Sequence, residues 1–213
     1  MVDLYNELTL VVVKETIEIM NLTGKKFILL LLYSPTTTGD KVNVPIAGRT
    51  RLMKMGFLFK KEVLSDFQKD RTFDEVVLPE YFAWKYGPFS GELLNDLEFL
   101  VNQEYIKSQS GSSPIRAELD EAEFGEYDFW VEDMDEFRVR EYNEEVFELT
   151  KEKGLPKAKE VWDVLSENQQ KYLIEFKKVL NSASLNRILE YVYKKYQKDG
   201  YIEKSLVRER FLA

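Results

Sequence analysis

The chain has 213 residues, of which 44% are hydrophobic and 14% aromatic, so it can bury a sizeable core; its formal net charge is −8. It contains no cysteine and no histidine, which excludes disulfides, thiolate nucleophiles, the usual structural zinc sites and every relay that needs a histidine. The longest apolar run, Phe27 to Tyr33, is far shorter than the roughly 20 residues that cross a bilayer. No signal peptide is readable before it, so we expect a soluble, cytoplasmic protein without a membrane contact.

The charge is unevenly distributed along the chain. Residues 118–145 carry thirteen acidic and two basic residues, a net charge of −11. Residues 41–61 carry six basic residues and no acidic one, and residues 151–213 have a net charge of +5. The protein is therefore polarised, with one acidic segment between two mildly basic ones, and such charge asymmetry bears on which partners it binds.

The first part of the chain predicts two helices and a strand. The apolar periodicity of Val2 to Met20 predicts an amphipathic helix, so residues 1–23 form an N-terminal helical unit. The run from Phe27 to Leu32 predicts a shorter helix that is buried on most sides. Val42 and Val44 predict a short edge strand.

The stretch after Gly48 predicts a helix of about fifteen residues with one apolar stripe, formed by Leu52, Met55, Phe59 and Val63. Its other side is basic. We weigh two interpretations of that side: a solvated face, or a contact with an anion, a nucleic acid or an acidic partner. The candidate nucleic-acid-binding residues are Arg49, Arg51, Lys54, Lys60 and Lys61.

The segment from Tyr81 to Ser90 predicts a compact corner. Alternating Phe82, Trp84 and Tyr86 indicate a short strand with one buried face, and Gly87-Pro88 indicates a turn. Ser90 stands where it would cap a third helix that continues to Gln103. The structural motif comprises Trp84, Tyr86, Gly87, Pro88 and Ser90, and we expect Trp84→Ala to cost about 3–5 kcal/mol as a core deletion.

A hairpin is predicted after the third helix. Tyr105 to Lys107 begins one strand, Ser108 to Pro114 is predicted as a polar loop, and alternation between Phe129 and Val139 indicates the partner strand. Gly154-Leu155-Pro156 is the predicted boundary. The sequence after it predicts helices, one of them opened by a capping box at Ser166.

This order of elements predicts a mostly α fold with a small β-hairpin, in the α+β class. Three helices followed by a hairpin, with a strand inserted before the third helix, are typical of a winged helix-turn-helix core. We assign that core, with its acidic wing insertion, to residues 24–150. Residues 151–213 form a C-terminal helical extension.

Two sequence blocks carry a family resemblance. Leu52 to Phe59 (LMKMGFLF), followed by Phe82 to Phe89 (FAWKYGPF) and a leucine-rich helix, resembles the Panacea domain of SocA-like antitoxins. A similar pairing occurs in bacterial and archaeal winged-helix proteins that begin as Gly48 to Leu52 does here. The resemblance covers about residues 48–104, and residues 165–196 more weakly. It implies a non-enzymatic, partner-binding role such as toxin neutralisation or an adaptor for proteolysis.

The charge of the third helix decides between partners. This helix and the residue after it offer four acids, Glu92, Asp96, Glu98 and Glu104, and no basic residue, so DNA phosphates would repel it. The wing that follows is the most acidic segment. We therefore expect a basic protein, toxin-like or regulatory, as the partner. The partner-binding candidates are Glu92, Asp96, Glu98, Phe129 and Trp130. The alternative is a DNA-binding transcriptional regulator that uses residues 41–61.

No residue pattern supports catalysis. The acids at 132–136 lack the glycine of a calcium loop, and Gly24-Lys25-Lys26 lacks the rest of a phosphate-binding loop. Glu175-Phe176-Lys177 has the spacing of a metal-nuclease signature but lies in a helical period. We expect no enzyme activity, cofactor or metal. A homodimer through the N-terminal or C-terminal helices is left open.

Overall fold

The computed structural model describes residues 21–37, 39, 41–111 and 144–212. Over these residues the fold is mixed α/β and mainly helical, which confirms the predicted class. The helices are α1 (Gly24–Tyr33), α2 (Arg49–Leu58), α3 (Leu64–Phe67), α4 (Gly91–Asn102), α5 (Gly154–Asp163), α6 (Glu167–Ser182), α7 (Leu185–Lys195) and α8 (Arg208–Leu212). The strands are β1 (Asn21–Thr23), β2 (Ile46–Ala47), β3 (Glu75–Val77), β4 (Phe82–Trp84), β5 (Gly87–Phe89), β6 (Ile106–Gly111) and β7 (Glu144–Leu149).

Helix starts follow the local side-chain chemistry that the sequence predicts. The Ser90 hydroxyl accepts a hydrogen bond from a backbone N–H in the first turn of α4. Ser166 and Gln169 form the predicted capping box at the start of α6, and Ser184 caps α7 in the same way as Ser90. A π-helical segment, Phe59–Val63, joins α2 to α3, so the predicted fifteen-residue helix exists but is not regular.

The strands form three small sheets among the described residues. The largest has the order β2-β7-β6 and is antiparallel throughout. Strands β1 and β3 pair in parallel, and β4 and β5 form a hairpin of their own. Along the chain, α1, β2, α2 and α4 are therefore followed by the β6–β7 hairpin, which pairs back onto β2.

Helix α1 lies at the centre of the core, as its apolar sequence predicts. Ile28, Leu30, Leu31 and Leu32 have no exposed surface. The same cluster of buried residues includes side chains of α5 and α6, so the C-terminal helices share one core with the first part of the chain. A second cluster, around Phe57, joins the end of α2 to α7 and α8.

The predicted edge strand at Val42 and Val44 is wrong, since the strand in this region is β2, two residues later. Asn43 has a φ of +63°, in the left-handed region, which no strand residue adopts. Its side-chain amide exchanges two hydrogen bonds with the backbone of Leu149, at 2.7 and 3.1 Å. Asn43 thus attaches the segment before β2 to β7.

The predicted loop at Ser108 to Pro114 is also wrong for its first part, because β6 continues to Gly111. The strand that pairs with β6 is β7; the partner strand predicted between Phe129 and Val139 lies outside the described residues. In β7, Phe147 and Leu149 are buried on either side of Glu148, and Glu144 and Glu145 precede them. The surrounding glutamates concealed this short apolar alternation in the sequence.

Regular elements lie at the two predicted boundaries. Gly154-Leu155-Pro156 forms the first turn of α5; a proline is tolerated there because first-turn N–H groups have no partner within the helix. A Cβ on Gly154 would lie 2.0 Å from the carbonyl oxygen of Tyr105, so only glycine fits. Within the predicted N-terminal helical unit, Asn21–Thr23 is a strand, and residues 1–20 lie outside the described residues.

Candidate functional site

The β4–β5 hairpin presents its aromatic side chains to solvent. Phe82 is 48% exposed and Trp84 is 38% exposed, so the predicted buried face of this strand is wrong. The physical reason is that a two-stranded hairpin with one covered side leaves every second residue of each strand on the open side. The rings of Phe82, Trp84 and Phe89 pack on each other, with centroids 5.4–6.1 Å apart.

The turn of this hairpin lies at Lys85-Tyr86, and not at the predicted Gly87-Pro88, which belongs to β5. Gly87 has a φ of +83°, and a Cβ there would lie 3.1 Å from the ring of Tyr193. The positive φ favours glycine here, and the close approach of the Tyr193 ring leaves little room for a side chain. Pro88 lies opposite Ala83 and is buried.

Lys54 holds the hairpin from the side of α2. It is 2% exposed, and its ammonium group donates hydrogen bonds to the carbonyl oxygens of Tyr86 at 2.6 Å and Pro88 at 2.9 Å. Next to it, the backbone N–H of Ser90 donates to the Met53 sulfur at 3.2 Å. The outer edge of β5 is therefore occupied by α2.

Two further basic residues bind carbonyl groups: Arg51 in α2 and Lys60 in the π-helical segment that follows it. Arg51 is 8% exposed and donates to the carbonyl oxygens of Leu180 and Ala183, both at 2.6 Å, at the end of α6. Lys60 donates to the carbonyls of Leu78 and Pro79 and forms an ion pair with Glu80 at 2.6 Å. The predicted solvated basic face is therefore wrong at Arg51 and Lys54, and Lys61 is the member that stays exposed.

Arg49 connects the start of α2 to the β6–β7 hairpin. Its guanidinium group binds both carboxylate oxygens of Glu145, at 2.5 and 3.2 Å, and Glu98 of α4 at 3.2 Å. Burial would raise the pKa of Glu145, but the hydrogen bonds from Arg49 and Ser108 outweigh burial and lower it. Burial likewise opposes the charge of Arg49, and its two carboxylate partners raise its pKa.

Helix α4 turns two of its three acids, Glu92 and Glu98, toward solvent. We define the outer face of α4 by Glu92, Asn95, Glu98 and Phe99, all of which are exposed. The Glu92 carboxylate accepts a hydrogen bond from the backbone N–H of Glu80 at 3.1 Å, which joins this face to the start of the hairpin.

The third predicted acid, Asp96, lies at the margin of this face. Its side chain is 19% exposed and forms an ion pair with Lys25 at 2.8 Å. The Lys25 ammonium also lies 4.9 Å from the centre of the Phe99 ring. Asp96 is thus tied to α1 rather than directed outward. The predicted partner residues Phe129 and Trp130 lie outside the described residues.

The sequence analysis missed two features that extend the surface of the β4–β5 hairpin. Leu206, in the C-terminal tail, is 71% exposed, and its backbone N–H donates to the carbonyl oxygen of Lys85 at 2.8 Å. A crevice of about 20 Å³ opens between the hairpin and α2, lined mainly by Thr50, Met53, Trp84, Tyr86 and Phe89. The alternation of aromatics in the sequence marked the strand but did not tell which face is covered.

Lys177, which belongs to the nuclease-like spacing Glu175-Phe176-Lys177, binds backbone carbonyl groups in the core. It is fully buried, and its ammonium donates to the carbonyl oxygens of Leu32 at 2.9 Å and Ser34 at 2.7 Å. Burial lowers the pKa of Lys177 to about 7. Among the described residues, no three or more acidic side chains lie close enough together to hold a metal ion.

Comparison of the chain with family models, with curated proteins and with solved structures gave no significant match. The resemblance to the Panacea domain stays a prediction. Among the helices of the described residues, none combines the length and the apolar composition that a bilayer crossing requires.

Proposed function

We propose that this chain is a non-catalytic, antitoxin-like protein that binds another protein through the outer face of α4 and the β6–β7 hairpin. The proposal includes a winged helix-turn-helix core, in which α4 is the third helix and β6–β7 the wing. Its support is the order of elements, in which a hairpin follows the third helix and pairs onto a strand inserted before α2.

One observation carries the proposal: the outer face of α4 combines carboxylates, an amide and an exposed phenylalanine, and α4 contains no basic residue. In a DNA-binding winged helix this face would meet phosphates, which the carboxylates repel. An exposed aromatic side chain among acids is instead suited to a protein surface with Lys or Arg side chains.

The net charge around α4 stays negative after the ion pairs within the chain are counted. Five carboxylates of the described residues on this side meet three cations, which leaves a net charge of −2; the acids are Glu80, Glu92, Asp96, Glu98 and Glu145, and the cations Lys25, Arg49 and Lys60. The sequence that connects β6 to β7, residues 112–143, adds eleven acids and three bases. A cationic partner would therefore be attracted by the negative charge around α4 and by that of residues 112–143.

The DNA-binding alternative loses most of its candidate residues. Arg51 and Lys54 are buried against carbonyl groups, and Arg49 is shared between two carboxylates. In the segment 41–61 the exposed cations are Lys41 and Lys61, which are too few for strong phosphate binding.

The test adds a positive charge to the outer face of α4 without removing a described contact. We expect Asn95→Lys to weaken the complex with the cellular partner at least tenfold, because a like charge then meets the partner's cations. The matched control is Asn168→Lys, the same substitution at an exposed position of α6. Copurification with the tagged full chain, quantified by mass spectrometry, measures both.

Two outcomes would refute the proposal. One is a partner retained equally by Asn95→Lys and by the wild type. The other is salt-sensitive retention of a random DNA duplex that Lys61→Ala abolishes, since that result assigns function to the basic segment. A triple substitution of Arg49, Arg51 and Lys54 is unsuitable for this purpose, because it would remove buried hydrogen bonds and disturb the fold.

A further inference from the structure

The sheet that contains the β6–β7 hairpin has one edge that no described strand covers. In the order β2-β7-β6, β7 pairs on both sides, and β6 lies at the margin. The N–H and C=O groups on the outer side of an edge strand are a ready template for pairing with another chain. What this edge can bind depends on which backbone groups of β6 point outward and on the charges around them.

A contact on the far side of β7 identifies the outward groups of β6. The carbonyl oxygen of Glu145 accepts a hydrogen bond from the N–H of Gly48 at 2.8 Å, so it points toward β2 and away from β6. Glu145 lies opposite Ser110. Opposite residues of an antiparallel pair that exchange no hydrogen bonds direct their backbone groups to the two outer sides. The N–H and C=O groups of Ser110 therefore point outward.

A second contact gives the same alternation along the strand. Both backbone groups of Leu149 bind the side chain of Asn43, so they too point away from β6, and Leu149 lies opposite Ile106. Every second residue of β6, from Ile106 through Ser108 to Ser110, thus directs its backbone groups outward. Ile106 is buried, and no described residue binds the outward groups of Ser108 and Ser110. These two residues offer two N–H and two C=O groups.

Strand β6 lacks the features that commonly keep an edge from pairing. It contains no proline, and its register with β7 runs over six residues without a bulge. Its one charged side chain, Lys107, forms an ion pair with Glu148 of β7 at 2.5 Å. Within the described part of the chain, the outer edge of β6 is therefore open to a further strand.

The charge of this region selects the kind of strand. Residues 104–153, which include β6, β7 and the chain between them, carry sixteen acidic and six basic residues, a net charge of −10. The rest of the chain sums to +2. Residues 104–111 and 144–153 alone have a net charge of −2, with Lys107, Lys151 and Lys153 counted. A second copy of the chain would bring the same negative charge, and so would residues 112–143, whereas a basic segment of another protein would be attracted.

We propose that the outer edge of β6 accepts an extended, basic segment of the partner as an additional strand. This inference rests on the proposed function, to which it adds the conformation of the partner segment. In strand addition the backbone hydrogen bonds supply the affinity, so the partner segment needs free N–H groups on the side that faces Ser108 and Ser110.

The experiment follows the backbone amide signals of the full chain by nuclear magnetic resonance while peptides are added. The probe is KTVTVTK with blocked ends and a methyl group on every second backbone nitrogen, which leaves one pairing edge. One control carries the methyl group on every backbone nitrogen, and the other is ETVTVTE, methylated as the probe is. We expect saturable shifts of the Ser108 and Ser110 amides with the probe and at least tenfold weaker binding of both controls.

Two variants at one position locate the site. Ser110→Pro removes an outward N–H without touching the bonds between β6 and β7, and an edge strand tolerates proline at such a position. It should weaken binding of the probe at least tenfold, whereas Ser110→Ala, which keeps the N–H, should leave binding unchanged. Equal binding by the two variants would refute pairing at this edge.

Deuterium exchange of the free chain shows whether the edge is open before a partner arrives. The amides of Ser108 and Ser110 should exchange at least tenfold faster than those of Lys107 and Gln109, which face β7. Equal protection would mean that residues 112–143 or a second copy already covers the edge, and would overturn the inference.

The peptide controls separate this inference from the proposed function. If the fully methylated peptide binds as tightly as the probe, strand addition is refuted while the proposed cationic partner stands. If ETVTVTE binds equally, the charge selection is refuted, and the proposed function loses its electrostatic basis. Absence of any saturable shift overturns strand addition alone, because Asn95→Lys tests the partner surface independently.

Discussion

Helix α2 and the β4–β5 hairpin lie against each other and treat charged and aromatic side chains in opposite ways. In α2, Arg51 and Lys54 are almost fully buried and donate to backbone carbonyl groups. In the hairpin, Phe82 and Trp84 remain open to solvent. Composition alone predicts the reverse, because charged residues are mostly exposed and aromatic ones mostly buried.

The difference shows what each element needs from its neighbours. A turn and a short strand leave carbonyl groups without partners inside the element, and a long basic side chain can reach them while its aliphatic stem packs in the core. The β4–β5 hairpin, in contrast, has one side that none of the described elements covers. Burial in this region is thus set by unsatisfied carbonyl groups and by the number of layers, more than by residue type.

Among substitutions where α2 meets the hairpin, the largest expected effect comes from removing the cation that joins them. Lys54→Met keeps the length and most of the volume of the side chain but leaves the Tyr86 and Pro88 carbonyl groups without their donor. We expect the free energy of unfolding to fall by about 3 kcal/mol, because two charge-assisted hydrogen bonds in a buried place are lost. Urea denaturation followed by circular dichroism measures the change.

An internal control tests whether the loss is specific to the hairpin. The emission of Trp84 should shift to longer wavelength in Lys54→Met under native conditions, since the strand that supports its ring loses its attachment. A variant as stable as the wild type would show that the carbonyl groups of the hairpin do not depend on Lys54.

The second prediction concerns pH and a buried lysine that binds carbonyl groups as Lys54 does. Burial lowers the pKa of Lys177 to about 7, whereas in the unfolded chain it has its ordinary value of 10.5. Between these values the unfolded state holds the proton and the folded state does not. The free energy of unfolding should therefore rise with pH from about 7 to about 10, by up to about 1.4 kcal/mol per pH unit.

The comparison with Lys177→Met isolates this contribution. In that variant the group that titrates is absent, so the difference in stability between variant and wild type should change across the same pH range and be constant below about pH 7. Thermal unfolding at several pH values, with the same buffers for both proteins, gives the two curves. Parallel curves would mean that the two carbonyl partners, which favour the charged form, outweigh burial.

Local chemistry explains which parts of this fold could be predicted from the sequence. Ser90, Ser166 and Ser184 begin helices because a hydroxyl binds an N–H three residues away, and α1 is buried because its apolar run leaves no polar side. The position of β2 could not be predicted, because Asn43 depends on the backbone of Leu149, far away in sequence.

The same distinction applies to the candidate site. The acidic character of α4 is a property of one helix and was predicted, whereas the burial of Lys54 depends on carbonyl groups that come into reach after folding. Trp84 is exposed because, within the described part of the chain, no element packs on that side of the hairpin. For Lys54 and Trp84, burial or exposure depends on which distant segments pack against them, and the local sequence does not contain that information.

The third prediction revises the expected cost of Trp84→Ala. Since its side chain is 38% exposed, the loss in stability should be about 1 kcal/mol and not the 3–5 kcal/mol of a core deletion. Phe57→Ala, at a side chain with no exposed surface, is the matched core control and should cost about 3–5 kcal/mol. Equal losses in the two variants would place Trp84 in the core.

The smallest expected effect is at Lys61, which has the residue type of Lys54 and lies seven positions later. Its side chain is exposed, and its ammonium lies 4.7 Å from the centre of the Tyr201 ring. An exposed contact of this kind contributes about 0.5 kcal/mol, so Lys61→Met should change stability by no more than that. Measured in the same urea series as Lys54→Met, the pair compares one substitution in two surroundings. A loss as large as that of Lys54→Met would mean that basic residues of this segment stabilise the fold wherever they lie, and that binding to buried carbonyl groups is not the cause.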